Sequence, residues 1–177
     1  MNDSRVRDFD ARELFEALDA QRVERGLSWQ GVADELWNQS ADLNERRRDH
    51  PISPATLTGM GRRGSTSCQH ALFMLRWLGR TPESFLAGGE PASAAPLPAA
   101  GPDRRLRWDL GRLSEALDGA RGEQQLTWRE LAGELRCTPN QLTGIRTARF
   151  AIEMNLAMKI VQWLGRPAAD FIDAARW

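Results

Sequence analysis

The residues best suited to hydrogen-bond recognition stand together in the run Thr138-Pro139-Asn140-Gln141-Leu142-Thr143. The amides of Asn140 and Gln141 each set a donor beside an acceptor, the pattern that matches N6 and N7 of adenine, and Thr143 suits a base edge or a thymine methyl. The competing reading is plain surface amides in water. Arg146 and Arg149 follow the run, and Arg129 and Thr138 precede or open it; guanidinium and hydroxyl groups in such places suit phosphate oxygens. A second stretch, Ser53 to Arg63, repeats the arrangement with weaker means. Ala55 and Thr56 replace the two amides and offer methyl contacts at best, and Arg62 and Arg63 close it. Solvated surface is the alternative for each of these arginines.

No catalytic set accompanies them. His50 and His70 are isolated, and no Ser/His/Asp group or carboxylate pair recurs. Gly59-Met60-Gly61-Arg62-Arg63-Gly64 spells G-x-G-x-x-G, but a dinucleotide fingerprint needs a preceding strand and a βαβ unit. Here the glycines more simply end a helix and allow a turn. Cys68 and Cys137 lack CxxC or CxxH spacing, which argues for a reducing compartment and against structural zinc. The expectation is a protein that is not an enzyme and takes no metal or cofactor.

With 177 residues, 41% of them hydrophobic, the chain can build one domain or two small ones. No run approaches 18 apolar residues, and the start MNDSRVRDFD has no apolar stretch, so a cytoplasmic location without a membrane span is expected. Net charge is zero, but its distribution is uneven. Residues 1 to 45 hold 5 Arg against 11 acids, residues 46 to 80 hold 7 Arg against Asp49 alone, and from Arg136 to Arg166 there are 4 Arg and Lys159 against Glu153. Arginine outnumbers lysine 23 to 1, as a GC-rich bacterial genome would give.

The elements that must position these residues come in duplicate. Leu14 to Leu36 aligns without gaps to Leu113 to Leu135, with 12 of 23 positions identical, among them Trp29/Trp128. The match resumes at Ser53-Pro54 and Thr138-Pro139, returns at Trp77-Leu78-Gly79-Arg80 and Trp163-Leu164-Gly165-Arg166, and closes at Phe85 and Phe171. In the second copy Thr127 caps a helix with Glu130 three residues on, and Trp128, Leu131, Ala132 and Leu135 recur at helical spacing. Thr138 caps the next, with Pro139 at its first position, and Leu142 and Ile145 face inward. The helices predicted are 9 to 25, 28 to 37 or beyond, 53 to 60, 67 to 78 and 82 to 87, then 106 to 121, 127 to 136, 138 to 146, 151 to 164 and 167 to 175. No strand pattern is found. The recurring tryptophans read first as core anchors, with stacking on single-stranded bases as the alternative.

Both copies resemble the lambda-repressor-like helix-turn-helix domain, also called the xenobiotic-response-element type. Leu126, Thr127, Leu131, Ala132, Leu135, Thr138, Leu142, Thr143 and Ile145 occupy its pattern in the second copy, and Leu27, Ser28, Val32, Ala33, Leu36, Ser53, Leu57, Thr58 and Met60 in the first. The resemblance implies an all-α fold of two tandem helix-turn-helix domains, with four to five helices each, that binds double-stranded DNA in transcription control. On this reading the domains cover 9–87 and 105–177, with an insertion at 37–51, and are joined by a flexible Ala/Pro/Gly-rich linker at 88–104. Such a linker spans roughly 20 to 25 Å on average and up to ~45 Å if extended as polyproline II, which brings adjacent half-sites about 34 Å apart within reach of a fused pseudo-dimer. Asn140, Gln141, Thr143 and Thr56 would contact bases; Thr138, Arg129, Arg146, Arg149, Arg62 and Arg63 would contact phosphates.

The chain departs from the family at Trp29 and Trp128, where a glutamine is common, at Arg146 and Ala148, and above all at the insertion with its run Arg46-Arg47-Arg48. A non-catalytic protein-protein interaction module, or self-association, on a degenerate scaffold is the alternative. Its discriminating feature is the broken turn of the first copy.

Overall fold

A computed structural model describes residues 6–89, 94–148 and 151–176. Seven of the helices start where an Asp, Ser or Thr side chain accepts a free backbone N–H. Asp10 caps α1 (Ala11–Glu24), Ser28 caps α2 (Trp29–Asn38), and after the short α3 (Ala41–Asn44), Ser53 caps α4 (Pro54–Arg63) and Ser67 caps α5 (Cys68–Leu78). Each such cap is worth about 1 kcal/mol. Gly64 and Gly79 end α4 and α5 in the left-handed conformation, and a 3₁₀ turn follows at Pro82–Phe85.

The second repeat opens with β1 (Arg105–Trp108). It continues through α6 (Leu110–Glu123), α7 (Trp128–Glu134), α8 (Pro139–Gly144) with a 3₁₀ extension Ile145–Thr147, and α9 (Met154–Trp163). A 3₁₀ turn at Ala168–Phe171 leads into β2 (Ile172–Ala175). The chain is therefore mostly helical, and its small sheet corrects the expectation of no strands. β1 and β2 pair antiparallel, Arg105 opposite Ala175 and Trp108 opposite Ile172. That pairing takes up residues expected in helices 106 to 121 and 167 to 175. Asp109 ends the strand, its N–H donating to Phe171 O at 2.8 Å while its carboxylate caps α6. In the first repeat the same place shrinks to one bridge, Phe9 to Leu86, with Asp10 N–H on Phe85 O at 2.8 Å.

The repeats share polar detail as well as element order. Arg22 bonds Asp19 and Leu27 O and lies over the Trp29 ring; Arg121 bonds Asp118 and Leu126 O and lies over Trp128. The indoles of Trp77 and Trp163 donate to Glu35 and Glu134 at 2.8 and 2.6 Å. The hydrogen bonds of Glu35 to Arg25, and then to Trp77, hold its carboxyl below the usual range. With guanidinium groups over Trp29 and Trp128, these rings serve as cation–π anchors.

One equivalence exposes a strained site. Gly26 turns the α1–α2 connection at φ 65°, and Gln125 does the same between α6 and α7 at φ 56°. A residue with a Cβ costs roughly 1–2 kcal/mol there, partly offset by glycine's larger unfolded-state entropy. Gln125→Gly is expected to stabilise the chain by about 0.5–1 kcal/mol, seen as a higher midpoint of denaturant unfolding; an unchanged or lower midpoint would contradict the assignment of strain.

The halves pack as one body around a local two-fold relation. Ser67 and Glu153, the residues before α5 and α9, form an antiparallel bridge with reciprocal bonds: Cys68 N–H to Ile152 O at 2.8 Å and Met154 N–H to Thr66 O at 2.9 Å. α5 packs on α9 beside it, and buried side chains of both halves join in one core. Cys68 lies fully buried there, its thiol pushed up to about 11 by burial, and it stays protonated. Next to the bridge, Gln69 donates to Leu106 O at 2.7 Å, and Asn155 accepts from Phe9 N–H at 2.9 Å.

Each half also grips the segment that begins the other. Arg7 exchanges two backbone bonds with the Gln162 amide, and Asp8 meets Lys159 at 3.1 Å. Burial pushes the Asp8 carboxyl up, but Lys159 and Asn155, with Arg136 nearby, outweigh it and hold it low.

The expected flexible linker is overturned over its described part. Arg76 reaches from α5 to Ala100 O, Gly101 O and Arg104 O at 2.6, 3.1 and 3.3 Å, and also bonds Gln39 O and Ser40 Oγ. Leu43 N–H donates to Pro102 O, and Leu97 and Ala100 are half-buried against the core. Carbonyls of an Ala/Pro/Gly-rich segment are free to accept, and Arg76 supplies the donors. The segment is a docked strap.

Candidate nucleic-acid interface

The pair α7–α8 is built by two capping boxes in succession. Thr127 accepts from Glu130 N–H while the Glu130 carboxylate accepts from Thr127 N–H at 2.7 Å; Thr138 and Gln141 repeat the exchange, with Thr138 N–H on Gln141 Oε1 at 2.8 Å. Those bonds to the Thr127 backbone and hydroxyl keep the exposed Glu130 carboxyl below its usual range. The turn between the helices runs through Arg136 at φ 52°. Leu131, Ala132, Leu135, Leu142 and Ile145 all go into the core, leaving the outer face of α8 to polar groups.

That face holds Asn140, Gln141 and Thr143, all exposed, but they are not equivalent. Gln141 spends its carbonyl oxygen on the Thr138 N–H and hydroxyl, so it has only its NH₂ to offer and cannot make the two-pronged contact to adenine in this rotamer. Thr138 is likewise occupied by its cap. Thr143 donates to Pro139 O at 3.2 Å, which keeps its methyl and acceptor lone pairs outward. Asn140 alone has both halves of its amide without a protein partner among the described residues.

In the first half, α4 packs on α1 and α2 despite the insertion. Ala55 is exposed; Thr56 is half-buried, with its hydroxyl 3.0 Å from Ser53 Oγ. The glycines of the G-x-G-x-x-G run have a packing role. A Cβ at Gly61 would stand 2.7 Å from the Phe15 ring, so its absence lets α4 lie against α1, and Gly64 caps α4 at φ 66°. Arg63 folds back over Gly59.

The expected phosphate residues divide by what already holds them. Arg62, Arg63, Arg129 and Arg146 are exposed and carry no side-chain hydrogen bond or ion pair; Arg149 lies outside the described residues. Arg12, Arg46 and Arg48 complete the set of exposed, unpartnered arginines among the described residues. All seven sit on or beside the helix pairs: Arg12 faces Gly64 at the end of α4, Arg46 and Arg48 lead toward α4, Arg62 and Arg63 end it, Arg129 opens α7, and Arg146 follows α8. Other arginines of the described chain are bonded to carboxylates, as Arg25, Arg112 and Arg166 are.

The two-fold relation at Ser67 and Glu153 has a geometric consequence for this distribution. A two-fold axis keeps equivalent points at equal height along itself, so α4 and α8 lie at matching levels on either side of the Ser67–Glu153 bridge. Sequence reading missed Arg12, whose place beside the α4 cap only the α1–α4 contact reveals. Among the described residues no group of His, Cys, Asp and Glu is arranged to hold a metal ion, and no helix is long and apolar enough to cross a membrane. Comparison with known protein families, with curated proteins and with solved structures finds no match to this chain.

Proposed function

We propose that this chain binds double-stranded DNA sequence-specifically, as a transcriptional regulator, with its two helix-turn-helix halves acting on one duplex as a fused pseudo-dimer. The observation that carries this reading is the set of seven exposed, unpartnered arginines gathered around α4 and α7–α8 in a chain of zero net charge. Leaving that many guanidinium groups unpaired on and beside the two helix pairs suits a polyanion that arrives from outside. Asn140 reads a base, and α4 contributes methyl contacts and phosphate affinity.

The test is selection from a random duplex library with the full chain at about 100–150 mM salt, where non-specific phosphate binding is already weak. Two unlike half-motifs are expected; no enrichment at all would overturn the reading. Asn140→Ala is expected to cost about 1–3 kcal/mol of discrimination at one base pair, leaving non-specific binding in place. Gln141→Ala should act through the lost cap instead, lowering stability by about 1 kcal/mol with little change in sequence preference. Competition titration against single-base operator variants separates the two.

A second reading, docking to a protein partner, draws on the first half, where α4 carries Ala55 and an occupied Thr56 and no amide. Under that reading Asn140→Ala behaves like the parent in every duplex assay.

A further inference from the structure

The segment between α2 and α4 has no counterpart in the second half, and its two sides differ. One side is consumed by the other half of the chain. Arg105 of β1, only 4% exposed, donates to Asn44 Oδ1 at 2.6 Å and to Asp49 Oδ2 at 2.8 Å, and its guanidinium lies 4.7 Å over the Trp37 ring. Asp49 also takes Arg47 at 2.8 Å, and Ser40 Oγ donates to Arg104 O at 2.7 Å. Leu43 and Ile52 are buried at either end, so the loop between them is pinned at both ends and in its middle. Burial pushes the Asp49 carboxyl up, but its bonds from Arg105 and Arg47 prevail and keep it ionised.

The other side faces solvent with Arg46 and Arg48, exposed and unpartnered, while Arg47 between them is locked inward. Asp42 and Glu45, the acids not used in this lock, belong to α3 and the residue after it. Arg48 is five residues before Ser53, the cap of α4, and so no more than about 18 Å from it along the chain. Nearby Arg105 and Arg107 add to the local positive charge, against which Asp49 is the anion at the centre.

We infer that this segment is an additional phosphate-binding arm, held in place from the second half by Arg105, that extends the contact of the first half along the DNA backbone beside α4. It rests on the DNA reading above and adds backbone affinity, not base reading, beside an α4 that carries no amide. Two phosphate contacts add about 1.8 to the slope of log affinity against log salt, a factor of about 30 at 0.15 M salt for affinities that converge at 1 M.

The experiment is a salt titration of binding to the enriched duplex, or to a generic duplex where a mixed-sequence probe is wanted. The chain carrying Arg46→Gln and Arg48→Gln together is compared with the parent. A slope lower by about 1.8, with sequence preference unchanged, is expected. The pair Arg112→Gln and Arg166→Gln removes the same charge from arginines already bonded to Asp173 and Asp170, and should leave the slope where it is. An unchanged slope in the arm variant overturns the arm while duplex binding stands, and an equal drop in both variants overturns it as an effect of net charge. A parent chain that binds no duplex overturns the DNA reading and the arm with it.

Discussion

Replacing Arg76 by alanine is expected to destabilise the chain by about 3 kcal/mol, the largest single effect we anticipate from any residue outside the apolar core. Its guanidinium has no carboxylate partner; its bonds all go to oxygens of Gln39, Ser40, Ala100, Gly101 and Arg104. Burial alone pushes its pKa down, though it stays charged at any pH of interest. Bonds from a charged donor contribute about 1.5–3 kcal/mol each in favourable cases, but alanine lets water reach most of the freed oxygens, which brings the total down to the worth of one or two such bonds. Lysine cannot span the fan of acceptors and should recover less than half. Denaturant unfolding followed by tryptophan fluorescence measures the loss. A cost below about 1 kcal/mol would show that the strap docks without Arg76.

The second large effect concerns the duplex. Five base pairs inserted between the two half-motifs turn one to the opposite side of the DNA and move it by about 17 Å. The halves of this chain are joined by the reciprocal bridge at Ser67 and Glu153, by the strap and by the grip on Arg7 and Asp8, so they cannot follow. Affinity should fall by about 10²–10⁴-fold, the gain that two linked sites provide. An insertion of ten base pairs restores the facing but adds about 34 Å, and it should not restore binding. Two domains on a flexible tether would recover at ten. Recovery there would mean that the halves separate on DNA.

The helices of this protein were legible because their boundaries are written in local chemistry. Thr127 with Glu130 and Thr138 with Pro139 mark starts within one residue of those found, and the recurrence of Leu14 to Leu36 at Leu113 to Leu135 predicts the parallel order of elements. Four-residue strands carry too few alternations to register, and β1 and β2 exist because Asp109 N–H reaches Phe171 O across 62 residues. The strap was illegible for the same reason: an Ala/Pro/Gly composition says nothing of an arginine 24 residues upstream. The capping role of Gln141 is legible in the sequence too. A glutamine three residues after a capping threonine is the same signal as Glu130 after Thr127, and it commits the side chain to the helix start. On the proposed DNA reading, Asn140 and Thr143 are the groups of α8 left for base contact.

The grip of α9 on the start of the chain also sets an order in time. Arg7 waits for Gln162, 155 residues later, and Phe9 for Asn155, 146 residues later. At the roughly 5–20 residues per second of synthesis, Arg7 spends about 8–30 s without its partner. During that interval the first half must hold its core with Asp8 unpaired and the α5 face against α9 uncovered. The clasp on residues 6 to 10 therefore closes only after α9 has emerged, and a nascent chain interrupted before α9 presents that bare α5 face to whatever binds unfinished proteins.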